Sequence, residues 1–237
     1  MYYDFFKIRS ITKIGKNIIT LANKKIVKII KKLYKPKIES TLLEIGVGKA
    51  LFATILKKEI PEIKYFGIEP NKDLCLQAAS KGLNVINTKI PPVPKKFYNK
   101  FDFVYMSHVL EHFVNYEVIL KVLSELRKTL KKNGKLIIFY PDFLDYKDDY
   151  FDIDYSHEYI LTKRRVKQIL TDCYFKIIKS TSFRGCFIFP YHFLIYPFHK
   201  IIKIFAGLFY TITKKEIFFK MKITFGKNIL VIAEKIE

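Results

Sequence analysis

Residues 41–52, Thr41-Leu42-Leu43-Glu44-Ile45-Gly46-Val47-Gly48-Lys49-Ala50-Leu51-Phe52, set an acidic residue near the end of an apolar run and follow it with a Gly-x-Gly turn. The pattern suits a nucleotide-type ligand. Glycines let the chain turn sharply and let a ligand approach the backbone, while the N–H groups that open the next helix face that ligand. Such turns also close ordinary strand-to-helix junctions, so the spacing downstream carries the argument. A second apolar run, Lys64-Tyr65-Phe66-Gly67-Ile68-Glu69-Pro70, ends in a carboxylate 25 residues after Glu44, one strand-helix-strand unit away. A carboxylate there can accept two hydrogen bonds from a ribose diol. Residues 101–113 read as a buried strand, a polar turn at Ser107-His108 and a helix start; residues 130–141 read as a helix end, an Asn133-Gly134 turn and a further strand.

In this order the motifs resemble the class I S-adenosylmethionine-dependent methyltransferases, over residues 38–181 and again 227–236. The resemblance implies S-adenosylmethionine as the cofactor. It implies that Glu44, Gly46 and Gly48 wrap its methionine part, that Glu69 binds its ribose hydroxyls, and that Asn87, Thr88, Ser107 and His108 flank adenine and methionine. Two positions depart from the family pattern: Ala50 stands for the third glycine, and Asn87-Thr88 stands where an acid often meets the adenine amino group.

A sulfonium methyl is already an activated electrophile, so positioning supplies much of the acceleration, and a base matters only for an acceptor such as a hydroxyl. The candidates are His108, His112, Asp142 and His157. His157 is preferred as the catalytic base, with His108 beside it. The segment Asp154-Tyr155-Ser156-His157-Glu158, leading to Thr162, is similar to a His-x-x-x-x-Thr junction of the small-molecule branch. The competing role for His157 is structural, as a helix-start histidine held by Asp154 or Thr162. Val109-Leu110-Glu111-His112 resembles the branch that methylates quinones, lipids and sugars, whereas base-methylating nucleic-acid enzymes of this fold carry an Asn/Asp-Pro-Pro-aromatic turn there. His108 and His112 stand four apart without a third ligand in register, so no metal site is expected.

The elements that must position these residues alternate: strands near 41–45, 64–68, 83–86, 101–106 and 134–140, helices near 49–58, 71–81, 115–131 and 162–172. The implied fold is α/β: a doubly wound, mostly parallel, seven-stranded Rossmann-like sheet with an antiparallel last strand near 227–234, and ligands at the carboxyl ends of the strands. Ile90-Pro91-Pro92-Val93-Pro94 can be neither a helix nor a central strand and reads as a surface loop. One domain spans 1–237. It comprises an N-terminal amphipathic helical extension (1–38), the core (39–184 and 226–237) and an aromatic, basic insertion (185–225).

The chain's 237 residues carry a formal net charge of +21, which attracts phosphate-rich partners or an anionic membrane surface. Residues 8–34 read as one or two amphipathic helices with a basic face, a lid over the cofactor or a membrane contact. Lysines interrupt every apolar run there, so no signal peptide is expected. In the insertion, Pro190, Pro197, His199, Lys200 and Lys203 are expected to break any spanning helix, leaving a monotopic patch over 185–222 or a cap against the site or a partner. Three cysteines without Cys-x-x-Cys spacing argue against a disulfide scaffold or zinc site and for a reducing, cytoplasmic setting, peripheral at the inner membrane face.

The expected function is therefore methyl transfer to a small-molecule or lipid-linked acceptor of glycan or isoprenoid and quinone type. An RNA or other nucleic-acid methyltransferase and a non-catalytic cofactor-binding scaffold are the alternatives.

Overall fold

The computed structural model describes residues 12–34 and 40–236. Helix α1 (Lys13–Leu33) is followed by β1 (Thr41–Ile45), α2 (Leu51–Glu59), β2 (Lys64–Ile68), α3 (Lys72–Ala79), β3 (Val85–Ile86), β4 (Phe101–Ser107), α4 (Tyr116–Thr129) and β5 (Leu130–Pro141). Two single turns, α5 (Phe143–Tyr146) and α6 (Asp149–Asp152), lead to α7 (Lys163–Asp172), β6 (Phe175–Arg184), β7 (Phe187–Ile188), α8 (His192–Thr213), α9 (Glu216–Ile223) and β8 (Lys227–Lys235).

The strands form one sheet in the order β3-β2-β1-β4-β5-β8-β6-β7. β1 to β5 are mutually parallel, and β8 lies antiparallel to both β5 and β6. The sheet therefore has eight strands where seven were expected. The addition is the two-residue β7, which folds back on the end of β6 as the chain enters the insertion. β3 is shorter than expected, two residues long, with Leu83 buried in the core ahead of it.

Alternation along the strands divides the core between the two faces, as a sheet buried on both sides requires. Leu43, Val104, Met106, Leu136, Ile138 and Val231 meet α4 and α7 on one face. Leu42, Phe103, Tyr105, Ile137, Phe139 and Leu230 meet α1 and α2 on the other. The helix starts carry the caps their sequences offer: Asn71, Asn115 and Thr162 each accept from an N–H in the first turn of α3, α4 and α7.

The amphipathic N-terminal stretch is one helix. Ala22, Ile26, Val27 and Ile30 bury it against α2, while Ile14, Ile19 and Leu21 stay exposed. Residues 8–11 of that stretch lie outside the described residues.

The expectation that prolines and charges interrupt the insertion is overturned. α8 runs unbroken for 22 residues with Pro197 inside it, and it is long and apolar enough, by length and composition, to cross a membrane. Pro190 precedes the helix, and Pro197, its sixth residue, removes one main-chain bond without ending it. His199 and Lys203 turn toward the protein, where His199 meets Arg184 and Lys203 pairs with Asp149 at 3.0 Å. Insertion ends Arg184 and Lys227 are a register pair of β6 and β8.

Arg184 fixes the base of the insertion. Its guanidinium grips Asp145 through two bonds of 2.5 and 3.1 Å and also donates to His199 Nδ1 and the Phe225 carbonyl. Burial works against the Asp145 carboxylate, but Arg184 and the Lys227 N–H hold its pKa below the ordinary range. Arg184→Met removes that carboxylate's cationic partner and is expected to cost about 3 kcal/mol in urea unfolding, with most of the loss recovered when Asp145→Met is added.

Candidate functional site

Because β1, β2, β4 and β5 are parallel, their carboxyl ends share one edge, where Gly46, Glu69 and Asp142 follow β1, β2 and β5 directly and Ser107 ends β4. The chain reverses its order of strand addition between β1 and β4, the crevice where open α/β sheets bind ligands.

The turn after β1 takes left-handed backbone at Gly46 (φ 75°), Gly48 (φ 54°) and Ala50 (φ 61°). At Gly46 a Cβ would stand 2.7 Å from Val109 Cγ2, so glycine is required there by space as well as by conformation. Ala50 occupies the third position as the N-cap of α2 without a side-chain capping bond.

Glu44, expected at the cofactor, is buried beneath this turn and accepts from Tyr65 Oη at 2.7 Å. Burial, with the nearby Glu69 charge, pushes its pKa up to about 8 despite that bond. Glu69 is also buried. Its Oε2 accepts from the Gly48 N–H at 2.8 Å and its Oε1 from the Asn71 N–H at 2.9 Å. Burial raises its pKa, and these two donors oppose the shift. Sequence reasoning placed Glu69 correctly at the strand end and missed that it also clamps the glycine turn. Asn87 is drawn to the same corner, donating to the carbonyls of Glu69 and Pro70, while the Thr88 hydroxyl donates only to its neighbour's carbonyl.

Past β4, His108 is exposed with φ 53°, and its Nδ1 lies 3.1 Å from Glu111 Oε1. Glu111 is fully buried. Burial raises its pKa, but the His108 bond and the charges of His108, His112 and His157 outweigh that and hold it below the ordinary value. The Glu158 and Tyr159 N–H groups both donate to the Glu111 carbonyl, which brings the 154–159 loop against this turn. His157, the preferred base, is consequently buried, with its ring 5.0 Å from that of His112 and its Nδ1 on the Tyr150 carbonyl. Burial depresses its pKa. Asp142 is buried and paired with Lys227 Nζ at 2.9 Å. The expectation that His112 lacks ligand partners fails: the described residues bring Glu111, His112 and His157 together. A cavity of about 430 Å³, lined by Thr41, Lys64, Phe66, Phe101 and Lys131, lies at the opposite, amino-terminal edge of the sheet.

A family model described as a methyltransferase domain matches residues 18–178, from within α1 to within β6. The fold is similar to that of a SAM-dependent methyltransferase from Archaeoglobus fulgidus, with 23% identity, 90% of this chain and 94% of that one covered, and a TM-score of 0.59. A SAM-dependent methyltransferase from Methanosarcina mazei aligns at 16% identity over 88% of this chain and 97% of that one, TM-score 0.59. The [4+2]-cyclase SpnF aligns at 13% identity over 90% and 80%, TM-score 0.59. No curated protein gives a match. At these identities the likeness shows the fold.

With its folded-state pKa raised from 4.5 to about 8, Glu44 stabilises the fold fully below pH 4.5, and that contribution drains away as pH rises to about 8. Compared with Glu44→Gln, the native chain should lose stability between pH 5 and 8 with an added slope of at most about 1.4 kcal/mol per pH unit in urea titrations.

Proposed function

The chain belongs to the methyltransferase-domain family, as an S-adenosylmethionine-dependent enzyme of class I fold, and we propose that its acceptor is a small or lipid-linked molecule, of glycan or isoprenoid and quinone type, met at an anionic membrane surface. The observation that carries the proposal is the polarity of the α8–α9 hairpin.

α8 rests on the domain through His192, His199 and Ala206, spaced seven apart. Beneath it the contacts are polar: His192 Nε2 meets Ser182 Oγ at 2.7 Å, His199 meets Arg184, and Lys203 and Lys222 pair with Asp149. The outward stripe is apolar, with Leu194, Phe198, Ile201, Phe205, Leu208 and Ile212 all more than 45% exposed. An apolar face of this extent on a monomer calls for a partner. A lipid surface fits because Lys214 and Lys215 close the hairpin tip and Lys200 lies over the Tyr196 ring, cations at the rim of the apolar stripe. The helix lies along the domain over the fifteen residues from His192 to Ala206 and returns through α9, where Phe209 stacks on Phe218, so the reading is monotopic and peripheral.

The strand-end residues fit the cofactor: a left-handed turn with no room for a Cβ at Gly46 beside Val109, and a carboxylate at the end of the neighbouring strand. Gly46 and Gly48 would hold the methionine part, with Glu44 supporting the turn from beneath. Glu69 would accept from the ribose while keeping Gly48, and Asn87, Thr88, Ser107 and His108 would border the base and the methyl group. When bound, S-adenosylmethionine supplies an electrophilic methyl, and the chain's task is to orient the acceptor and exclude water. For a hydroxyl acceptor His108, oriented by Glu111, is the proton acceptor we assign.

Two measurements test this. Glu69→Gln should weaken S-adenosylhomocysteine binding by about 1.5 kcal/mol in calorimetry while the chain stays folded; unchanged affinity would remove Glu69 from the ribose. Phe198→Glu with Phe205→Glu, both at exposed positions, should lower sedimentation with phosphatidylglycerol vesicles at least about tenfold, given 1.5–3 kcal/mol per buried aromatic. Equal sedimentation of native and substituted chains would sink the membrane reading.

A further inference from the structure

Glu111, His112 and His157 form a constellation that methyl transfer does not require. Each offers one donor atom, and the three lie within 4.8 Å of one another. The hydrogen bonds around them show which atoms are left for a ligand. The Ser156 hydroxyl donates to Asp154 Oδ1 at 2.6 Å, which leaves its own oxygen to accept. His112 Nδ1, 2.9 Å from the same oxygen and 3.1 Å from the Ser156 carbonyl, must then be the protonated nitrogen. His157 Nδ1 faces the Tyr150 carbonyl and is protonated for the same reason. In the neutral rings the lone pair of each imidazole therefore sits on Nε2.

Tying one ring nitrogen to a main-chain carbonyl is how proteins orient histidines that ligate through the other. The third member is equally prepared. Glu111 is fully buried, His108 engages its Oε1, and its Oε2 has no hydrogen-bond partner. A buried carboxylate oxygen left in that state asks for a cation.

We propose that Glu111, His112 Nε2 and His157 Nε2 form a binding site for a divalent transition-metal cation, with zinc as the representative ion. Two imidazoles and one carboxylate are an established ligand set for such ions. Tetrahedral donors about 2.1 Å from one zinc stand about 3.4 Å apart, so the cluster closes on the ion when each side chain moves inward by roughly 1 Å. Three protein ligands leave positions open to water or, on the methyltransferase reading above, to an oxygen of the acceptor. His157 thereby becomes a ligand rather than a base.

The test uses the full chain, stripped by chelator and dialysed against zinc without cofactor, so it stands apart from the acceptor reading. One equivalent of zinc per chain is expected, and cobalt in its place should give visible d–d bands. His112→Ala and His157→Ala should each weaken zinc binding at least tenfold and abolish the bands while the circular dichroism spectrum is kept. Ser156→Ala, at a partly exposed position, should weaken binding severalfold and serves if either histidine variant fails to fold. No stoichiometric zinc in the native chain, or undiminished affinity in all three variants, would overturn the site.

Discussion

The Glu69 carboxylate, shared between the N–H groups of Gly48 and Asn71, is the interaction on which the shape of the strand-end site depends. The turn after β1 holds three residues in left-handed backbone, one of them an alanine that pays for the conformation with its Cβ. A charged acceptor reaching across from β2 gives that turn a fixed partner, and charge-assisted bonds of this kind are roughly twice as strong as neutral ones. Glu44, one layer deeper, takes the opposite course: with Tyr65 as its hydrogen-bond partner it retains its proton into mildly alkaline conditions. Of two acids at neighbouring strand positions, one holds the turn by its charge and the other supports it by burial.

What could be read in the sequence was whatever depends on local pattern. Apolar runs gave the strands, the alternation of strand and helix segments gave the order of the elements, and the spacing of Glu44, Gly46, Gly48 and Glu69 located the edge where they meet. What could not be read depends on contacts between distant segments. The third partner of Glu111 and His112 comes from His157, brought over by two N–H groups that find the Glu111 carbonyl. Nothing in a window around His112 announces it. Pro197 misled in another way: it is an interior residue that forfeits one main-chain bond, yet the 22-residue helix continues past it.

The insertion inverts the usual arrangement of a helix on a domain. Charge and imidazole face inward and aromatics face outward. Charged contacts need exact partners, so Arg184, Asp145 and Asp149 fix where the hairpin stands without using its apolar surface for adhesion. That leaves the outward stripe available for an external medium. The family match ends before this segment, which separates a general chemistry in the sheet from a local specialisation beside it.

Arg184 and Lys227 sit opposite each other on adjacent strands. Apart from β7 on the sheet's edge, everything between them leaves and re-enters the sheet through a gap of one strand spacing, roughly 5 Å. For such a gap the entropy of closing the chain grows only with the logarithm of its length. The insertion is thus a graft point: segments of other lengths and surfaces could be exchanged there across evolution or by engineering, redirecting where the enzyme settles while β5, β8 and β6 keep their register.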